Sequence, residues 1–352
     1  MLAVARVACV GLSVPSCSRP SAPTSPPIVA SPASSAPATP LPDALASALF
    51  AEPSVPAAAP ARPAPALSVA DAHRLLFVPD DANVPACADG SRQDQVHCLL
   101  AARYASDPRA LALATSLFDT TGDIAGVLPA ETMDGGFRGK LHLVPEPPVL
   151  TRRKHLEWAS SAMADYDDFF HRLSPAFAAT DPLPYRWRAL GFRFMRSEGR
   201  TTPSAYASGW DVAYNVDGSL NTSADAVREL LFHEIFHLND EAHGDWSVAA
   251  LGPTFDAIVA RCRTSTACLT PYAPTNTRVR GGTYYAFQPN NGAAVHEYAA
   301  ELALRYYREQ RAVLRGEQPL APFKCGPLEN ASAWSLLSRE FFSGIDRTAA
   351  CR

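Results

Sequence analysis

Three histidines and a glutamate share the stretch RELLFHEIFHLNDEAHGDW, residues 228–246: His233, Glu234, His237 and His243. Residues four apart lie on one face of an α-helix, so the imidazoles of His233 and His237 can converge on one metal ion. Glu234 stands beside them, where a carboxylate can take a proton from a water that a metal polarises. Val227, Leu230, Leu231, Phe232, Ile235, Phe236 and Leu238 make the segment apolar almost all round, the pattern of a helix buried in the interior. A buried glutamate flanked by two histidines is costly without compensation, and a metal supplies it. The plainer reading is a pair of satisfied core histidines with an incidental glutamate. The spacing favours a metal, and the donor types favour Zn2+.

Two readings compete for the third ligand. In metzincin peptidases HExxH extends to HExxHxxGxxH, and His243 stands where the third histidine belongs. Asp240 occupies the glycine position, and none of the four methionines (Met1, Met133, Met163, Met195) follows the motif to supply the metzincin methionine turn. The other reading takes a carboxylate from a later helix. HEYAAELALRYY, residues 296–307, offers Glu297 and Glu301 one helical turn apart. This stretch resembles the E-aromatic-x-A-E segment of lethal-factor-like zinc peptidases, a gluzincin arrangement. The resemblance implies Glu297 as zinc ligand and Glu301 as a group that orients a ligating histidine. It also implies a tyrosine upstream of the ligand, donating to the developing oxyanion. Tyr284 and Tyr285 stand on that side, further upstream than the family spacing, and Tyr285, followed by Ala286, fits the local pattern better. His296 is a competing ligand that points about 100° away from Glu297 around the helix.

The expected centre is therefore Zn2+ on His233, His237 and Glu297, with a water in the open position, Glu234 as base and Tyr285 as oxyanion donor. That implies a metallopeptidase acting on a peptide or protein. The alternatives are a zinc-binding surface module without turnover, a metzincin-type peptidase using His243, and a peptidoglycan-directed or other amide hydrolase. An intact Glu234 argues for catalysis, because a purely structural site needs no base.

The elements that must position these residues read as an α+β, zincin-like domain over 67–352: a small mixed sheet packed on the motif helix, with further helices after it. Helices are expected at 92–105 and 108–118. A hairpin should follow, with DIAGVLP and GKLHLVP as its strands around a Gly135-Gly136 turn. A long helix should start at a Thr151 cap. Strands LGFRFMRS and DVAYNV then lead to the motif helix, which Thr222 and Asp225 open as a capping box. Later helices are expected at 293–315, stopped by Gly316, and at 331–342.

Residues 1–17 resemble a bacterial lipoprotein signal: Arg6, a short apolar run, then Cys17 as the residue to be lipidated, with possible membrane attachment through it. Residues 18–66 are rich in Pro, Ala and Ser and read as a disordered tether. Setting aside Cys9 and Cys17, six cysteines remain, and pairing neighbours (87–98, 262–268, 325–351) closes short local loops. Export from a bacterial cell follows as an expectation, either as an outer-membrane or cell-surface lipoprotein or as a secreted protein. With 31 Lys+Arg against 35 Asp+Glu, a formal net charge of -4 and no long basic run, nucleic acid is not an expected partner.

Overall fold

The computed structural model describes residues 66–81, 84–135, 139–174, 183–279, 282–288, 294–317 and 321–351. The expected signal (1–17) and nearly all of the expected tether (18–66) lie outside the described residues. The architecture is α+β. Helix α1 (Val69–Leu76) and α2 (Arg92–Arg103) each open on a capping box, Ser68 with Asp71 and Ser91 with Asp94. Helix α3 (Pro108–Thr121) has proline at its first position and stops at Gly122, whose φ of 75° suits a residue without Cβ.

Six strands form one sheet: β1 (Ile124–Val127), β2 (Glu131–Asp134), β3 (Lys140–Pro145), β4 (Gly191–Ser197), β5 (Ala205–Ser208) and β6 (Asp211–Asn215). Strand β4 is the hub. One of its edges is shared end to end, β1 pairing in parallel with Gly191–Phe194 and β3 antiparallel with Met195–Ser197. Its other edge carries β6 in parallel, and β5 closes the sheet antiparallel to β6. The expected hairpin is therefore corrected. GKLHLVP pairs with ETMD at β2, not with DIAGVLP, and the turn begins at Gly135. DIAGVLP instead supplies β1, buried at all four positions, which explains its unbroken apolar reading. Strand β2 is largely exposed and has no apolar alternation to betray it.

Helix α4 (Arg153–Leu173) also begins differently from expectation: a 3-10 turn, Leu150–Arg152, precedes it and no side chain caps it. Asp107 fixes this junction instead, accepting from Leu150 N at 2.7 Å and from Arg153 Nη1 at 2.9 Å. The motif helix α5 (Ala224–Ala242) is capped by Ser223, which accepts from Ala226 N, and not by Thr222; Asp225 pairs with Arg228 at 2.6 Å. Helix α6 (Trp246–Cys262), not among the expected helices, carries Pro253 within it. The proline sits on an exposed face while Leu251, Phe255 and Ile258 face the core. A short helix α7 (Thr266–Leu269), then α8 (Ala294–Leu314) and α9 (Leu328–Phe342), complete the described elements. Gly316 follows α8 as expected, and α9 starts three residues before the expected boundary.

Helix α5 packs against α4, α8 and strand β5. Phe232 stacks on Tyr307 at 4.4 Å and on Tyr185 at 5.4 Å, which fixes the residue next to His233 on both ring faces. Cys87–Cys98, Cys262–Cys268 and Cys325–Cys351 are at disulfide distance, the neighbour pairing expected. No described helix is long and apolar enough to cross a membrane.

Candidate metal centre

His233 and His237 rise from the buried run of α5, and Glu297 stands in the first turn of α8. Nε2 of His233 lies 3.1 Å from Nε2 of His237 and 3.1 Å from Oε2 of Glu297, and the third side of the triangle, His237 Nε2 to Glu297 Oε2, is 3.7 Å. Three ligands on a tetrahedral zinc at bonds of about 2.0–2.1 Å stand roughly 3.3–3.4 Å apart. The donor set and its spacing fit such an ion. Among the described residues this group could hold a metal ion.

The surroundings favour a cation. Burial pushes the His233 imidazole down, but Glu297 and Glu301 outweigh it and hold His233 well above the ordinary histidine range. Burial raises Glu297, and His233 with His237 more than reverse this, holding it well below the usual carboxylate range. Glu234, 8% exposed, goes the other way: burial raises it, opposed by His233 and His237 and aided by Glu297. Two neighbouring carboxylates are thus driven apart, one toward permanent charge and one toward holding a proton.

Glu301 takes the orienting position expected of it. Its Oε1 lies 3.2 Å from His233 Nδ1, leaving Nε2 of that ring for the metal group. Glu301 does not pair with Arg305, which turns to Glu309 at 2.5 Å. Tyr285 opens a 3-10 turn, Tyr285–Phe287, with its ring 5.9 Å from that of His233. Its hydroxyl donates to Glu297, and burial together with Glu297 and Glu234 raises its pKa, keeping the proton on oxygen. Tyr284 faces away, bonding Thr270 and Arg278.

His243 is not brought to this group. Asp240, where the longer motif needs a sharply turning glycine, stays helical, and α5 runs on until His243 caps it. The His243 ring turns to α9 instead, 2.7 Å from Glu340 and against Phe341. His296 is also engaged elsewhere: Nδ1 lies 2.8 Å from Asp240 Oδ2 and 3.0 Å from Ser247 Oγ. Ser247 in turn donates to Asp240 through N at 2.8 Å and Oγ at 2.6 Å. Sequence reasoning missed this Asp240–Ser247–His296 junction, which ties α5, α6 and the first turn of α8 together beside the ligands. Its signal was the aspartate three residues after His237 together with a histidine beside Glu297.

No protein-family model matches the chain, and no curated protein or solved structure matches it at a significant level.

Proposed function

We propose that the protein is a zinc-dependent metallopeptidase with a zincin-like catalytic domain, exported and tethered to a membrane through a lipidated Cys17. The observation that carries the catalytic reading is the His233–His237–Glu297 triangle with Glu234 beside it. Two imidazoles and one carboxylate leave a coordination position open, the donor set of a catalytic rather than a closed structural zinc. When bound there, the ion supplies Lewis acidity to the scissile carbonyl and lowers the pKa of water.

The chain's own groups do the rest. Glu234 takes a proton from the water whose oxygen attacks the carbonyl carbon. It passes that proton to the amine nitrogen as the C–N bond breaks, which regenerates the carboxylate. Tyr285, kept protonated, is a donor for the carbonyl oxygen as negative charge gathers there. Strand β5 closes the sheet next to α5, and its outer edge, which pairs with no other strand among the described residues, offers backbone donors and acceptors to an extended peptide. The three cysteine pairs are consistent with an oxidising compartment.

The test is metal content and peptide-library cleavage for wild type and Glu234→Gln. The expected result is one zinc per chain in both and a loss of about 10²–10⁴ in turnover for the variant. Wild type that holds zinc and cleaves nothing would sink the catalytic reading.

A further inference from the structure

The loop between α7 and α8 reaches the metal group at a residue that no motif marks. Thr275 is buried, 4% exposed, as is Glu301. Its hydroxyl donates to Oε2 of Glu301, the oxygen that His233 does not use. The same hydroxyl oxygen accepts from Thr277 N at 3.3 Å and lies 3.0 Å from the Thr277 hydroxyl. The carbonyl of Thr277 then accepts from Tyr285 N at 2.9 Å. One hydroxyl thus joins the carboxylate behind a ligating histidine to the backbone that presents the tyrosine.

We propose that Thr275 is a positioning residue of the metal centre, its hydroxyl fixing the Glu301 carboxylate that orients His233 and anchoring the loop that delivers Tyr285. The proposal rests on the metal-centre reading above. A carboxylate gripped at one oxygen only can rotate about its last torsion, and the ring it holds turns with it. With both oxygens engaged, Glu301 has one orientation, and so has the Nε2 lone pair of His233. A threonine suits the task because its γ-methyl restricts χ1 and holds the hydroxyl on target.

The experiment uses the full chain and compares wild type, Thr275→Val, Thr275→Ser and Glu301→Gln. Zinc affinity is read by competition with a chromophoric chelator, and ligand geometry by the visible spectrum of the Co2+-substituted protein. Thr275→Val, which keeps shape and loses the hydroxyl, should weaken zinc binding about 10–100-fold and alter the cobalt bands. Thr275→Ser should stay within about threefold of wild type, because it restores the donor. The double variant Thr275→Val/Glu301→Gln should bind little worse than Glu301→Gln alone, since one residue acts through the other. Wild-type affinity and spectrum in Thr275→Val would overturn the proposal while leaving the zinc reading intact. So would a serine variant as weak as the valine one, or strictly additive losses in the double variant. If Thr275→Val does not fold, Thr275→Ala, which also removes the hydroxyl, takes its place: the same weakened zinc binding and altered cobalt bands are expected, and wild-type values would overturn the proposal. A wild-type protein that binds no zinc would remove the metal-centre reading itself.

Discussion

The Nδ1 of His233 stands 3.2 Å from Oε1 of Glu301, so α8 grips this ring through the nitrogen that faces away from Glu297. One turn earlier on the same helix, Glu297 meets Nε2 of the same ring at 3.1 Å. Both nitrogens of His233 are therefore assigned by a single helix that begins sixty residues later in the chain. On the far side of Glu297, His296 reaches Asp240, so the α5–α8 seam carries three successive polar contacts. The seam thus engages both imidazole nitrogens of His233 and ties the first turns of α8 to the motif helix, a preorganisation to which the Thr275 loop adds its contact on Glu301.

From that seam follows the first prediction. His233→Ala, His237→Ala and Glu297→Ala should each lose zinc by more than the roughly 10–100-fold typical of changing a supporting residue. His243→Ala should keep its zinc and lose about 1–3 kcal/mol of stability, because Glu340 is left without its ring partner. Metal analysis after dialysis, with a denaturant titration of each variant, separates the two outcomes. Zinc retained by Glu297→Ala and lost by His243→Ala would reverse the ligand assignment.

A second prediction concerns what holds His233 from behind. Phe232 is 1% exposed and lies nearly parallel to Tyr185 and Tyr307. Phe232→Ala should cost about 3–5 kcal/mol, the loss of a buried ring plus its cavity. Urea unfolding reads it directly, and a cost under about 1 kcal/mol would mean that the stack closes up around the gap.

How much of this was legible in the sequence follows from the range of each signal. His233, Glu234 and His237 could be placed because helical spacing alone sets them side by side. Glu297 and Glu301 could be placed because they too are one turn apart, and the resemblance supplied the link between the two helices. Thr275 and Ser247 were invisible, since nothing local requires either hydroxyl to meet a residue on another element, and Asp240 and His296 stood out only one by one, with nothing local to join them. The same limit misread the sheet. DIAGVLP and GKLHLVP look like partners because they are close in sequence, but β1 is buried on both faces and belongs beside β4, sixty-odd residues on. The cap expected at Thr222 falls one residue on, at Ser223, since neighbouring hydroxyls qualify equally, and the one expected at Thr151 is replaced by a 3-10 turn with no side-chain cap.

Gly126 on β1 carries the third prediction. A Cβ built there would stand 1.9 Å from the carbonyl oxygen of Leu75 and 2.4 Å from its carbon, so the backbone of α1 lies directly on the strand. Neither neighbour is a flexible side chain that can yield. Gly126→Ala should destabilise by at least the roughly 1–3 kcal/mol of an overpacked core, through separation of α1 from the sheet. Thermal melting tests it, and a variant as stable as wild type would show that α1 shifts freely.

His155 gives the last prediction, one about pH. It lies in α4, 1% exposed, with Nδ1 3.0 Å from the Tyr214 hydroxyl and Nε2 without a hydrogen-bond partner. Burial, aided by Lys154 and Arg152 and opposed by Asp217, lowers its pKa from 6.5 to about 4. Between those values the unfolded chain binds a proton that the folded chain refuses. The stability this histidine contributes is thus complete above about pH 6.5 and is lost as pH falls toward 4, with a slope of at most about 1.4 kcal/mol per pH unit. Asp123 runs the other way. It is fully buried, and burial raises its pKa from 3.8 to about 7, so its contribution is lost as pH rises between those values and is gone by neutrality. Comparing His155→Gln with wild type cancels Asp123 and every other shared group. Denaturant titrations at pH 7.5 and 5 should show wild type losing more stability on acidification than the variant, and parallel losses would mean that His155 accepts its proton without unfolding.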